Sequence, residues 1–71
     1  MSIRAVDASN QFRGRIVEII LGSVVSEIEV ETPAGRVASV VTTRSVRDLG
    51  LEIGSEVVAI VKATDVALAT L

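Results

Sequence analysis

A chain of 71 residues forms one small domain, and at that size only about 60% of the unfolded surface is buried on folding. With no cysteine and no histidine, it has neither a disulfide nor a structural zinc site to staple it, which leaves association with copies of itself. The net charge of −2, a single phenylalanine and the lack of tryptophan and tyrosine exclude the basic footprint and stacking platforms of a nucleic-acid binder.

Hydrophobic residues make up 49% of the chain and are almost all Val, Ile, Leu and Ala, a composition that suits sheets packed on both faces. No apolar run approaches the roughly 20 residues of a membrane helix, and no signal-peptide pattern opens the chain. The expectation is a soluble, cytoplasmic protein with no membrane partner.

Met1–Val6 reads as a short edge strand or a loose end, and Asp7-Ala8-Ser9-Asn10-Gln11 as a turn built from short polar side chains. Gly14 interrupts the next strand near its start, which signals a bulge or a close backbone approach. Ile16–Leu21 is apolar on both faces, and Gly22-Ser23 turns the chain. From Val24 to Glu31 the residues alternate: Val24, Ser26, Ile28 and Val30 share one face, while Val25, Glu27, Glu29 and Glu31 share the other. The three carboxylates on that outer face diverge along the strand, so the face is read as solvated and not as a metal site.

Thr32-Pro33-Ala34-Gly35 is a hairpin connection to the strand Arg36–Val41. A short helix fits Thr43 or Arg44 to Leu49. Thr42 or Thr43 caps its start, Val46 and Leu49 lie on one face, and Gly50 stands where a left-handed C-terminal residue belongs. After the turn at Gly54-Ser55, Glu56–Lys62 reads as a strand covered on both sides and ending on a cation. Val66–Ala69 is expected to close the sheet. Three strands, a short helix and two strands describe an all-β, five-stranded OB-type Greek-key barrel with the helix between strands 3 and 4, although the pattern also permits an SH3-like barrel.

Five apolar doublets carry a further message: Ile16-Val17, Ile19-Ile20, Val40-Val41, Val57-Val58 and Ile60-Val61. A barrel interior takes one member of each, and one short helix cannot cover the rest. Contiguous exposed apolar surface beyond a few hundred Å² is rare on monomers, so the chain is expected to associate with itself.

No catalytic set is present. The usual general base and thiol nucleophile are missing, there is no phosphate-binding glycine loop, and a Ser-Lys pairing through Lys62 has nothing to support it. The chain is therefore read as a non-enzyme. What remains is a group of neutral donors with one cation: Ser9, Asn10, Thr42, Thr43, Ser45, Lys62 and Thr64. Such a group suits a tetrahedral oxyanion, whose buried oxygens must nearly all be satisfied.

Three stretches resemble the molbindin (Mop domain) family. They are Ala8-Ser9-Asn10-Gln11-Phe12-Arg13-Gly14-Arg15-Ile16-Val17, the segment Thr42–Val57 read as T-x-x-S-V-x-x-L-G-L-x-x-G-x-E-V, and Val61-Lys62-Ala63-Thr64-Asp65-Val66. The resemblance spans nearly the whole chain as a single domain, 1–71, and favours the OB-type barrel. It implies a protein that binds molybdate or tungstate at subunit interfaces of a homohexamer built from three dimers, for storage or buffering. Thr42, Ser45 and Lys62 fall on family binding positions, and Ser9 falls where some members carry Arg. The implied oxyanion set is Ser9, Asn10, Thr42, Thr43, Ser45, Lys62, Ala63 and Thr64, with no metal bound directly by side chains. Related domains sit on molybdate transporters and regulators, so an assembly or regulatory module is the alternative. Asp7 departs from the family pattern, standing where a donor Ser is found. Facing inward it would repel the anion, and the expectation is that it turns away.

Overall fold

The computed structural model describes residues 9–71. Met1–Ala8, with the edge strand and the Asp7 orientation expected there, lie outside the described residues. The alternation read from the sequence sets the sheet. In β2 (Val25–Thr32), Ser26, Ile28, Val30 and Thr32 are buried, while Val25, Glu27 and Glu31 are exposed. β3 (Gly35–Thr42) returns antiparallel to β2 through the two residues Pro33-Ala34. The Thr32 hydroxyl closes that turn, accepting from the Ala34 N–H at 3.1 Å and donating to the Gly35 carbonyl at 2.6 Å.

β1 (Ser9–Ile20) has two partners. Its first half pairs with β4 (Glu56–Lys62), from Ser9↔Lys62 to Arg15↔Glu56, and its second half pairs with β2, from Arg15↔Glu31 to Ile20↔Glu27. The strand order is β3-β2-β1-β4, antiparallel throughout. This stagger, together with a bulge between Ile16 and Glu18, curls the sheet. The extra residue is Val17, not Gly14. Gly14 instead marks a close approach, because a Cβ there would collide with the Glu31 carbonyl and lie 2.7 Å from Val30 Cγ1.

The helix α1 (Thr43–Asp48) starts and stops as its sequence dictates. Thr42 caps it, accepting from the Ser45 N–H at 3.1 Å. At the other end Gly50 adopts φ +62°, the Gly50 N–H donates to Arg47 O and the Leu51 N–H to Val46 O, which is a Schellman ending. Leu51 then packs beside Val46 on the core of Ile16, Ile28 and Val30. Ile16 also ties down the following turn, donating to Ser55 O at 3.0 Å and accepting from the Gly54 N–H at 2.8 Å. The whole is an all-β, OB-type barrel with one short helix between β3 and β4.

Three expectations are corrected. Ser9-Asn10-Gln11 is not a turn but the start of β1, held in strand by the ladder to Lys62, Val61 and Ile60. β4 is not covered on both sides by this chain: none of its residues is fully buried and Ile60 is 51% exposed. Val66–Ala69 forms no fifth strand. A 3₁₀ turn over Ala63–Asp65, not a hairpin loop, follows Lys62, so the chain leaves β4 without doubling back on it.

The outer acidic face shows one local conflict. Glu18 stands directly opposite Glu29, and its carboxyl is pushed above the ordinary range by the hydrogen bond and the charge of Glu29. An acid whose pKa is raised by folding loses stability as pH climbs through the carboxylate range. Glu18→Gln is therefore expected to raise Tm at pH 7, with the gain over wild type vanishing as pH falls below about 4.3, the unfolded value for Glu. Thermal melts of both proteins from pH 4 to 8 check this; a gain independent of pH would contradict it.

Candidate functional site

The ladder between β1 and β4 brings the first group of donors together. Ser9 lies opposite Lys62 and Asn10 opposite Val61, and the Asn10 side-chain amide donates to the Val61 carbonyl at 3.3 Å. Lys62 is the last residue of β4 and the cap of the 3₁₀ turn that carries Ala63 and Thr64. Main-chain pairing fixes the Lys62 backbone, while its side chain stays exposed at the sheet corner. A cation, an amide and the hydroxyl-bearing Thr64 thus occupy one edge of the molecule, on a subunit whose net charge is negative.

A second group sits at the start of α1. The Thr42 and Ser45 hydroxyls are 2.7 Å apart, with Thr42 exposed and Ser45 half-buried. Thr43 does not join them. Its side chain is 2% exposed and its hydroxyl donates to the Gly22 carbonyl at 2.8 Å. Ser26, equally buried, sits 2.7 Å from the Thr43 oxygen and accepts from the Gly22 N–H at 3.4 Å. With Thr43 donating to Gly22, it is the Ser26 hydroxyl that donates to Thr43, so every donor in this chain of bonds is used inside the fold. Thr43 pins the Gly22 loop to α1, with its own N–H bonded to Val24 O. The signal was available: Ser26 is a polar residue on the apolar side of β2 and needs a buried partner.

Thr43→Val keeps the shape and removes the hydroxyl, leaving Gly22 O and Ser26 with lost partners. The expected loss is about 1–3 kcal/mol of stability. Chemical denaturation checks this, and an unchanged midpoint would contradict it.

The two groups occupy opposite ends of the sheet. Lys62 pairs with the first residue of β1, whereas Thr42 pairs with Val25, beyond the Glu27 that faces the last residue, Ile20. Main-chain pairing thus sets the two groups at opposite ends of β1. A cleft of about 650 Å³ lies elsewhere again, between Arg13, Arg15, Glu31, Thr32 and Glu56. Arg15 bonds Glu56 across it at 3.4 Å, and its two arginines are offset by two carboxylates. Among the described residues, no helix is long and apolar enough to cross a membrane.

Sequence and fold place this architecture among known proteins. The TOBE domain model matches residues 7–68. The chain is 35% identical over 65 residues to molybdenum-pterin-binding protein 3 of Clostridium pasteurianum, covering 90% of this chain and 96% of that protein. MopII from Clostridium pasteurianum superposes with a TM-score of 0.85 at 34% identity, covering 97% of this chain and all 100% of that one. A molybdate binding protein from Sporomusa ovata gives a TM-score of 0.83 at 30% identity, covering 99% and 100%. The small curled barrel with its capped helix is a TOBE domain. Within that family the chain belongs to the molbindins.

Proposed function

We propose that the protein binds molybdate or tungstate in the cytoplasm and stores or buffers it, without catalysis, between copies of itself. The observation that carries this reading is the cross-strand corner of Ser9, Asn10 and Lys62, continued by Ala63 and Thr64. It offers a cation, an amide and backbone donors in one place, which matches the needs of a tetrahedral dianion. Similarity along the full domain to proteins named as binding molybdenum-pterin or molybdate supports the choice of ligand.

The interface position follows from the exposure of the sheet. Ile20, Val40 and Ile60, one member from each of three doublets, are 54%, 69% and 51% exposed, while their neighbours Ile19, Val41 and Val61 turn inward. Covering those residues brings copies together, and the resemblance to molbindins supports a hexamer of three dimers. A second copy also allows the Thr42 and Ser45 hydroxyls of one subunit to approach an anion held by another. Calorimetry with molybdate, tungstate, sulfate and single-stranded DNA, beside light scattering of the same sample, tests the reading. Heat with the two heavy oxyanions from an oligomer is expected. An oligomer that binds neither anion would make the protein an assembly module instead, and heat from DNA alone would overturn both.

A further inference from the structure

Charge is segregated on the outer face of the sheet, with Arg15 at the border. Cross-strand partners share a face, as do residues two apart along a strand. The β1–β2 ladder therefore gathers Glu18, Glu27, Glu29 and Glu31 on one half. The other half, between β1 and β4, has the rows Ser9↔Lys62, Gln11↔Ile60 and Arg13↔Val58. Among the described residues it carries no carboxylate before Glu56, at the border itself. Gln11, Arg13 and Lys62 are exposed. A dianion repelled by a subunit of net charge −2 thus meets one strip whose rows hold no acidic side chain, with a cation at either end.

The Arg13 end of this strip lines the cleft of about 650 Å³, whose two carboxylates are committed to its other arginine. Glu31 and Glu56 are the register partners of Arg15 on β2 and β4, and Arg15 bonds Glu56 at 3.4 Å. Arg36 also lies 3.8 Å from Glu31. Arg13 faces Val58 across the ladder instead. Among the described residues, no hydrogen bond or ion pair engages its guanidinium. The charges therefore cancel at the Arg15 end, and the Arg13 end stays positive. Four residues, about 13 Å of strand, separate Arg13 from Ser9, the partner of Lys62, and the uncharged amide of Gln11 stands midway. At low salt both cations act on one dianion, because screening extends over about 30 Å at 0.01 M ionic strength.

We propose that this strip guides oxyanions into the protein: Arg13 captures a dianion weakly at the cleft, and the rows beside it lead the ion past Gln11 to Lys62. The guide rests on the oxyanion reading of the Lys62 corner and adds an entry route to it. Arg13 makes no bond in the final site. Its contribution is a higher local concentration of dianion beside that site, which is what surface of one sign does for a charged ligand.

Arginine side-chain NMR reads the capture without the Lys62 site. Assembled, ¹⁵N-labelled Lys62→Met protein is titrated with sulfate near neutral pH. The Arg13 Nε–Hε resonance, assigned by its loss on adding Arg13→Lys, should shift before those of Arg36, Arg44 and Arg47. A resonance that stays in place, or moves no earlier than the others, overturns the capture. Affinity reads the guiding. At about 0.01 M ionic strength, Arg13→Gln should weaken molybdate binding about two- to threefold, the effect of one charge on a dianion across about 10 Å of water. Arg13→Lys should keep wild-type affinity, and the deficit of Arg13→Gln should close at about 1 M salt, where screening shortens to about 3 Å. Arg36→Gln removes the same charge from the acidic half and serves as the control. A loss equal to that of Arg36→Gln makes net charge the cause, and a loss that survives high salt makes Arg13 a direct ligand; either overturns the guide. If wild type takes up no molybdate while Arg13 still responds to sulfate, the storage reading falls and the capture at Arg13 stands.

Discussion

Replacing Gly14 by alanine is expected to lower Tm by roughly 12–24 °C, the equivalent of about 3 kcal/mol in a domain of this size. The cause is steric and cannot relax cheaply. A Cβ at this position meets the Glu31 carbonyl as well as Val30 Cγ1 at 2.7 Å and Thr32 Cγ2 at 2.9 Å. Glu31 is a ladder residue, paired with Arg15 on one side and Arg36 on the other, so its carbonyl is held by the sheet. Moving it away would pull β2 from β1 at the point where β1 passes from β4 to β2. Stability of domains is on the order of 0.05–0.15 kcal/mol per residue, so a loss of about 3 kcal/mol removes a large share of it. Gly50 supplies the contrast. Nothing lies within 4 Å of a Cβ there, and only its φ of +62° resists a side chain. Gly50→Ala is therefore limited to about 1 kcal/mol, or roughly 4–8 °C. Equal melting temperatures for the two variants would refute the distinction between collision and backbone conformation.

What was legible in the sequence was whatever is encoded locally. Two-residue alternation in Ser26, Ile28 and Val30 gave the inner face of β2, and Thr42 with Gly50 gave both ends of α1, because caps and strand faces depend on neighbours in the chain. Misreadings fell where a distant partner decides. Ser9, Asn10 and Gln11 have turn-forming side chains, but the β4 ladder, some 50 residues away, draws them into strand. Gly14 signals a bulge or a close approach, and only the second holds: the bulge settles at Val17, a residue with no local mark of it. The apolar run of β4 was read as covered on both faces, and this chain leaves it half covered. Thr43 carried the same hydroxyl as Thr42 and looked like an equal ligand candidate. One position further along, the side chain turns from the surface to the core, and the Ser26 bond claims it.

Lys62→Met is expected to weaken molybdate binding by tenfold or more while the assembly persists. Methionine retains the reach and most of the apolar stem, and the ladder at this position is made by main-chain atoms that the substitution leaves in place. The change therefore isolates the ammonium. A dianion approaching a subunit of net charge −2 is repelled by the molecule as a whole, so attraction has to come from a local cation and aligned donors. A hydrogen bond to a charged group contributes about 1.5–3 kcal/mol, and each 1.4 kcal/mol is a factor of about ten in affinity. Salt supplies an independent reading. Exposed charges are screened over about 10 Å at 0.1 M ionic strength, so wild-type affinity should fall as salt rises, and the Lys62→Met protein should show a shallower dependence. Titration of both proteins with molybdate at two salt concentrations, with light scattering to confirm equal mass, measures all of this at once. If the assembled variant binds molybdate within twofold of wild type and with the same salt dependence, Lys62 is a solvated strand end and the anion is held elsewhere.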